Sequence, residues 1–508
     1  MQKVMIDGDS LTFDQIREVA VYNARVKLSG PAIAKVKKCR QYVDKVIAEG
    51  RIVYGLTTGF GKFSNVTISR EHTDELQENL LISHAVSVGE PYDTAQTRAI
   101  MLLRANVLAK GFSGIKLTTL QALIDMLNAG VHPVIPRQGS VGASGDLSPL
   151  SHLALVLIGR GRAEYKGKIF SGKKAMQAAG LEPVRLSAKE GLALNNGTQV
   201  MTALGVLTWL EAEKLAKSAD IIAALSIDAL LGTPNAFDPL VHQLRPHQGQ
   251  LASAANLHSL LQNSPLRLSH LHCDNVQDAY SLRCTPQVHG AARDAMNYVR
   301  QVLETEINAA TDNPLIFAEE DKVISGGNFH GEPLAIALDT LAIALSELGS
   351  ISERRIEQML NPALNRGLPP FLAARPGLDS GFMIAQLTAA AAVSENKVLS
   401  HPAAVDSIPT SANQEDHVSM GSISANKVLQ VAENLNTVLA IELLVALQAL
   451  DYRKDATSPA LEIIRQDLRK IIKPLKKDRE ISADLNNAKK WLKDNDAAQV
   501  ISSIISLT

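Results

Sequence analysis

Cysteine is scarce in this chain: Cys39, Cys273 and Cys284 are the only three among 508 residues. An odd, thin set of thiols in a long chain excludes a disulfide framework and points to a reducing compartment, the cytoplasm. Aromatic residues make up 4 %, which leaves no surface on which bases could stack. Neither sign of charge is in excess, with 51 basic against 52 acidic side chains. Without a basic surplus there is no general means of neutralising phosphates, so nucleic acid is not an expected partner. The first twenty residues hold no apolar signal core, and acids come early, which disfavours a targeting segment. No uninterrupted apolar run of about 18 residues occurs, so a membrane is not an expected partner either. The nearest, from Leu334, is broken by Asp339 and Glu347 and reads as a buried helix.

What is abundant is apolar residue in helical order. Hydrophobic residues reach 46 % and mean hydropathy is +0.02, enough for a large core and for subunit interfaces. Residues 94–110 are expected to form a helix that stops at Gly111. Residues 201–231 run without proline through one long helix. Residues 334–360 place Leu334, Leu338, Leu341, Leu345 and Leu348 in steps of four and three, the seam of a bundle helix. Ile336 and Ile343 add a second apolar face, so this helix is expected to be surrounded. Residues 424–451 repeat the pattern through Val428, Val431, Leu435, Val438 and Leu439. Strand signals are confined to short pieces near 167–170 and 322–325. Residues 453–495 read as peripheral amphipathic helices with Leu461, Ile464, Leu468, Ile471, Ile472 and Leu475 on one side. The expected fold is mainly α: a central bundle of long helices, 197–508, and a smaller N-terminal mixed region, 1–196, intimately packed.

One stretch fits none of this patterning. "GSVGASGDLSPLSH", residues 139–152, is small and bare beside an apolar helix. It lacks the lysine of a phosphate loop, the glycine spacing of a dinucleotide fingerprint and the second glycine of a nucleophile elbow. A helix entry with Ser148 as cap and Pro149 as first residue explains 147–159 but not Gly142-Ala143-Ser144-Gly145. The other reading is backbone chemistry. Attack of the Gly145 nitrogen on the Ala143 carbonyl carbon closes a five-membered ring around Ser144, and loss of two waters leaves an exocyclic methylene on an imidazolone. Gly145 offers the least hindered nitrogen, Ala143 a small side chain, Ser144 the hydroxyl to be lost, and Asp146 a group to manage protons. Residues 269–274, with His270, His272, Cys273 and Asp274, could form a metal site, but no second ligand pair has a recognisable spacing. No metal ligand is therefore assigned.

The chain resembles the aromatic amino acid lyases, which build such an electrophile from Ala-Ser-Gly. The resemblance runs through "VYGLTTGFGKFSNV", "LLISHAVSVGEP", "LLRANVLAKGFSG", the loop above, "EGLALNNGTQ", "VQDAYSLRCTPQVHG", "ATDNPLIF", "ISGGNFHGEP" and "VDSIPTSANQEDHVSMG", in order along nearly the whole chain. It implies a 4-methylidene-imidazol-5-one formed autocatalytically from Ala143-Ser144-Gly145, with no external cofactor. It implies loss of ammonia from a small-molecule L-amino acid and a homotetramer with shared active sites. By the same resemblance Tyr54 is the base for the β-proton, Tyr280 assists elimination and Asn196 hydrogen-bonds near the electrophile. Arg283 clamps the substrate carboxylate, Gln277 helps to hold the substrate, and Phe329 and Asn313 lie close by. His84 and Glu415 face the substrate ring. Glu415 favours histidine, giving urocanate, because a carboxylate opposite a phenyl ring is costly to bury. Lyases of phenylalanine or tyrosine, aromatic aminomutases and a non-catalytic helical scaffold are the alternatives. Asn195, Thr57 and Thr410 depart from common family residues, and "LNRGLPPF" carries an extra loop residue.

Overall fold

The computed structural model describes residues 3–271, 273 and 275–508. Helix dominates, and strands are few and short. The chain divides into two compact units: 1–207 with 300–339 and 402–426, and 208–299 with 340–401 and 427–508. The expected N-terminal region 1–196 falls inside the first unit, while residues 197–508 are shared between the two.

Among the described residues, every strand lies in the first unit. Lys3–Ile6 pairs in parallel with Arg25–Leu28. Val88–Pro91 pairs antiparallel with Pro136–Gln138. Val131–Pro133, Arg162–Tyr165 and Lys168–Ser171 form an antiparallel ribbon, and Leu315–Phe317 with Lys322–Ile324 a hairpin. The last two pairings contain the short strands expected from the sequence. Around them pack helices Gly30–Ala48, Thr73–His84, Thr94–Ala109, Leu117–Ala129 and Leu147–Leu157. Thr94–Ala109 starts under an Asp93–Gln96 capping box and stops where Gly111 takes positive φ, as its sequence requires.

The second unit is built on long helices. Gln199–Ala229, Glu332–Leu360 and Gly421–Asp451 each contribute most of their length to it. Leu341, Leu345, Leu348, Val428, Val431, Leu435, Val438 and Leu439 are fully buried, as the seams demand. Ile336 and Ile343 are 47 % exposed, so the helix from Glu332 is not enclosed by its own chain. By length and composition alone the last two helices could cross a membrane, but 61 % and 78 % of their apolar windows are buried within the protein. Most of their apolar residues are core residues. Glu442 interrupts this core: Arg355 reaches both its oxygens (2.5 and 3.0 Å), and Ser226 (2.7 Å) and Ser352 (2.5 Å) complete its partners. A buried carboxylate held this fully pins the register of three helices whose leucines could otherwise slide. In the helix Pro459–Arg469, Leu461, Ile464 and Leu468 are buried, whereas Ile471 beyond it is exposed.

The helix entry at 147 differs from expectation. Leu147–Leu157 begins one residue before Ser148, and no side chain caps it. The Ser148 hydroxyl instead accepts from Val86 N (3.1 Å) and meets Ser87 Oγ (2.7 Å). This ties the segment following His84 to the helix that follows the loop 139–146.

Candidate active site

The loop 139–146 is held by hydrogen bonds that come from distant parts of the first unit. Ser140 Oγ donates to Gly145 O (2.9 Å), accepts from Gly142 N and lies 2.8 Å from Ser422 Oγ. Ser419 Oγ donates to Gly142 O (3.0 Å), and Met420 N to Val141 O (2.8 Å). On the other side Asp146 N donates to Gly197 O (2.7 Å). Gly145 has φ +71°, and a Cβ there would lie 2.1 Å from Gly197 O, so no other residue fits. Gly197, at φ +151°, is equally enclosed by Thr311 O and the Arg104 guanidinium.

Ser144 projects from this frame between two polar groups. Its hydroxyl donates to Glu415 Oε1 (3.0 Å), and its carbonyl accepts from Asn196 Nδ2 (3.2 Å). Glu415 Oε2 accepts from Thr410 (2.6 Å) and Ser411 (2.8 Å). Thr410 thus supplies the hydroxyl that a serine would supply at that position. Asp146 does not manage a proton at Ser144. Its carboxylate is fully buried and accepts from Val200 N, Met201 N and Ser422 Oγ, which caps the helix Gln199–Ala229. Burial pushes its pKa up to about 6, against the pull of those three hydrogen bonds.

The other expected residues of this unit lie as follows. His84 ends the helix Thr73–His84, and its Nδ1 meets Ser83 Oγ (3.0 Å). Burial lowers its pKa, while the charge of Glu415 opposes the shift, so His84 and Glu415 sense one another. Tyr54 Oη accepts from Gly61 N (3.2 Å), at the start of the turn Gly61–Phe63, which packs against Ser411–Asn413 beside Glu415. Phe329 is half-buried in the turn that precedes the helix Glu332–Leu360. Asn313 Oδ1 accepts from Gly326 N (2.9 Å), a structural role between two loops. Asn195 is fully buried; it donates to Ser151 Oγ (3.0 Å), and its Oδ1 has no partner. Thr57 is a loop residue that donates to Arg51 O and accepts from Val53 N.

Gln277, Tyr280 and Arg283 assemble in the second unit. Tyr280–Arg283 is a single helical turn. With its amide oxygen toward the guanidinium, Gln277 accepts from Arg283 Nη1 (2.8 Å) and Nη2 (3.2 Å). The guanidinium also covers the Tyr280 ring at 4.5 Å. Tyr280 is 71 % exposed, and among the described residues no carboxylate pairs with Arg283. Its Nε donates to Asp278 O (3.0 Å), so with Gln277 three of its five N–H groups are engaged and one on each Nη remains. Of the 269–274 cluster, His272 and Asp274 lie outside the described residues, and His270 Nδ1 accepts from Arg267 (3.1 Å).

Sequence reasoning missed Arg104. It is fully buried in Thr94–Ala109 and donates to Asn196 O (2.9 Å), Gln199 Oε1 (2.5 Å) and Ala193 O. Burial lowers its pKa to about 10. It fixes the turn that carries Asn196 and Gly197. An arginine within "LLRANVLAK", an otherwise apolar helix face, was the available signal.

Residues 11–470 match the model of the aromatic amino acid lyase family. A histidine ammonia-lyase of Caldanaerobacter subterraneus is 55 % identical over 96 % of this chain and 96 % of its own. Among solved structures, a histidine ammonia-lyase from Trypanosoma cruzi superposes with a TM-score of 0.92 at 45 % identity, covering 99 % of this chain and 96 % of its own. A tyrosine aminomutase from Streptomyces globisporus superposes with a TM-score of 0.93 at 38 % identity over the full length of both chains. With the helical fold, the glycine-framed Ala-Ser-Gly loop and these likenesses, the chain belongs to the aromatic amino acid lyase family.

Proposed function

We propose that this chain is an ammonia-lyase acting on L-histidine: it removes ammonia without oxidation or reduction and yields urocanate, the first step of histidine breakdown. The observation that carries the reading is the setting of Ser144, between the Glu415 carboxylate at its hydroxyl and the Asn196 amide at its carbonyl.

In this reading Ala143, Ser144 and Gly145 condense into a 4-methylidene-imidazol-5-one. The Gly145 nitrogen bonds to the Ala143 carbonyl carbon. One water leaves with that carbonyl oxygen, and a second takes the Ser144 hydroxyl with its α-hydrogen. The fit is supported by the left-handed Gly145, whose nitrogen carries no neighbouring Cβ, and by the carboxylate facing the hydroxyl that must depart. The finished group supplies an electrophilic carbon that activates the substrate for loss of its amino group.

The chain's own residues do the remainder. Asn196 donates to the Ser144 carbonyl oxygen and so draws electron density from the ring system conjugated with it. Tyr54 accepts the β-proton. His84, kept neutral by burial, offers one donor and one acceptor to an imidazole. Glu415 accepts the imidazole N–H, and opposite a phenyl ring the same carboxylate would be left without a donor. Arg283 binds the substrate carboxylate through its two-pronged fork, oriented by Gln277, with Tyr280 assisting the departure of ammonia. Phe329 packs against the substrate, and Asn313 supports its loop. The exposure of Tyr280 supports a homotetramer in which active sites draw on several chains. The scarcity of cysteine supports a cytoplasmic enzyme.

The likeness to a tyrosine aminomutase favours one second reading, an aromatic aminomutase, which would return a β-amino acid. The test is a panel of L-histidine, L-phenylalanine and L-tyrosine, followed by ammonia release, ultraviolet absorbance of the conjugated acid and analysis for β-amino acid. Turnover of histidine alone is expected. Turnover of phenylalanine or tyrosine instead overturns the assignment of Glu415. Ser144→Ala is expected to abolish most turnover while keeping the helical circular dichroism, and near-wild-type activity in that variant defeats the electrophile.

A further inference from the structure

Three potential ligands converge just outside the electrophile loop. His330, Glu332 and His417 bring one ligand atom each to within 4.8 Å of one another. The two imidazole rings are 5.8 Å apart and tilted by 33°. Ordinary roles explain part of this. Glu332 N donates to His330 Nδ1 (3.3 Å), so the imidazole caps the helix Glu332–Leu360, and His330 Nε2 meets His417 O (3.2 Å). They do not explain the Glu332 carboxylate. Its Oε2 is buried and has no hydrogen-bond partner, and among the described residues no lysine or arginine pairs with it. A buried acceptor left unpaired loses its hydration with no return, and a charged one loses most.

We propose that His330, Glu332 and His417 form a binding site for one divalent transition-metal ion of the zinc class. Two imidazole nitrogens and one carboxylate oxygen suit zinc and cobalt, and leave a fourth position for water. Calcium and magnesium take all-oxygen sets and do not match. Tetrahedral ligands at about 2.0–2.1 Å from an ion stand roughly 3.4 Å apart, so the set must close by up to about 1.4 Å. His417 is exposed and has room to do this, whereas His330 and Glu332 sit half-buried in one turn. His330 gives up one of its two hydrogen bonds to present a nitrogen. The positive end of the helix dipole opposes a cation here, and the single carboxylate offsets it. The expected affinity is therefore micromolar rather than nanomolar.

The position gives the ion a consequence. Gly331 N reaches Gly142 O at 3.4 Å, and Ser419 Oγ reaches the same oxygen at 3.0 Å. The ion would join the two segments that grip the electrophile loop at that oxygen. The inference stands apart from the proposed reaction, because binding is read without turnover.

The test uses the intact protein, stripped with chelator and titrated with cobalt(II). One cobalt per chain is expected, with the visible ligand-field bands of a tetrahedral site and a raised thermal midpoint. His417→Ala and Glu332→Gln should each weaken binding at least tenfold, and His84→Ala should leave it intact. Should Glu332→Gln misfold, His417→Ala, at an exposed side chain, carries the test alone. Absence of stoichiometric binding at millimolar cobalt overturns the proposal, as does binding indifferent to His417→Ala. Binding lost in His84→Ala would put the ion in the substrate pocket and overturn it too.

Discussion

Replacing Asp146 with asparagine isolates the cost of one buried charge. The Asp146 carboxyl is fully enclosed, and its pKa stands at about 6 in the folded protein against 3.8 for an ordinary aspartate. Between those values the folded chain holds a proton that the unfolded chain has lost. Stability from this group is therefore greatest below pH about 4, falls as pH rises through the window, and is fully lost above about 6. A difference of about two units corresponds to roughly 3 kcal/mol. Asparagine imitates the protonated form: its oxygen can accept from Val200 N and Met201 N, and its amide can donate to a turned Ser422 hydroxyl. Unfolding entropy of about 2.1 cal/mol/K per residue makes roughly 1 kcal/mol/K for a chain this long, so 3 kcal/mol is about 3 °C. Melting curves of both proteins, at one concentration and several pH values, give the difference variant minus wild type. That difference should rise by about 3 °C between pH about 4 and about 7.5. A flat or falling difference refutes the reasoning.

Asn196→Ala removes the donor to the Ser144 carbonyl. The loss of two waters should still register in the intact mass, while kcat falls by about 100-fold; an unchanged kcat would defeat the role given to the amide. Arg104→Met strips Asn196 O, Gln199 Oε1 and Ala193 O of a donor. At about 1 kcal/mol or more for each orphaned acceptor, a loss of roughly 3 kcal/mol is expected in denaturant unfolding, and an unmoved midpoint would contradict it. His84 has a pKa below 6.5, lowered chiefly by burial, so it stays neutral as pH falls through that value. The acid limb of kcat/KM for histidine should lie below pH about 6.5, and His84→Gln should remove the limb; a limb that persists assigns it to another group.

Local pattern made the helices legible. The leucine steps from Leu334 and the stop at Gly111 depend on neighbours in the chain, and there the expected boundaries fall within about three residues of those observed. Ser148 is not the cap its sequence position suggests, because capping depends on which distant atoms compete for the hydroxyl, and Val86 and Ser87 take it. The loop around Ser144 stood out because small residues in that density have no packing purpose. Its supports did not stand out: Ser419 and Ser422 are ordinary serines until the fold brings them more than 270 residues back along the sequence. Arg104 was hidden for the opposite reason. A charge inside an apolar face reads as a helix edge unless its partners are known, and all three are acceptors some 90 residues away. Arg283 was legible as a residue, but its pairing with the Gln277 amide follows from a bend before a single helical turn, which no periodicity records.

The hydrogen bond between Ser144 and Glu415 spans 271 positions of sequence. On the proposed reading, a growing chain cannot assemble its reactive loop until Glu415, Ser419 and Ser422 have been synthesised and folded back onto it. Misassembled or truncated copies would keep an unreacted serine and do no chemistry. The modification would thus serve as a birth certificate: each copy that carries it has brought the 402–426 segment of its first unit back onto the loop at residue 144 at least once, and a mass spectrum of the pool counts those that have.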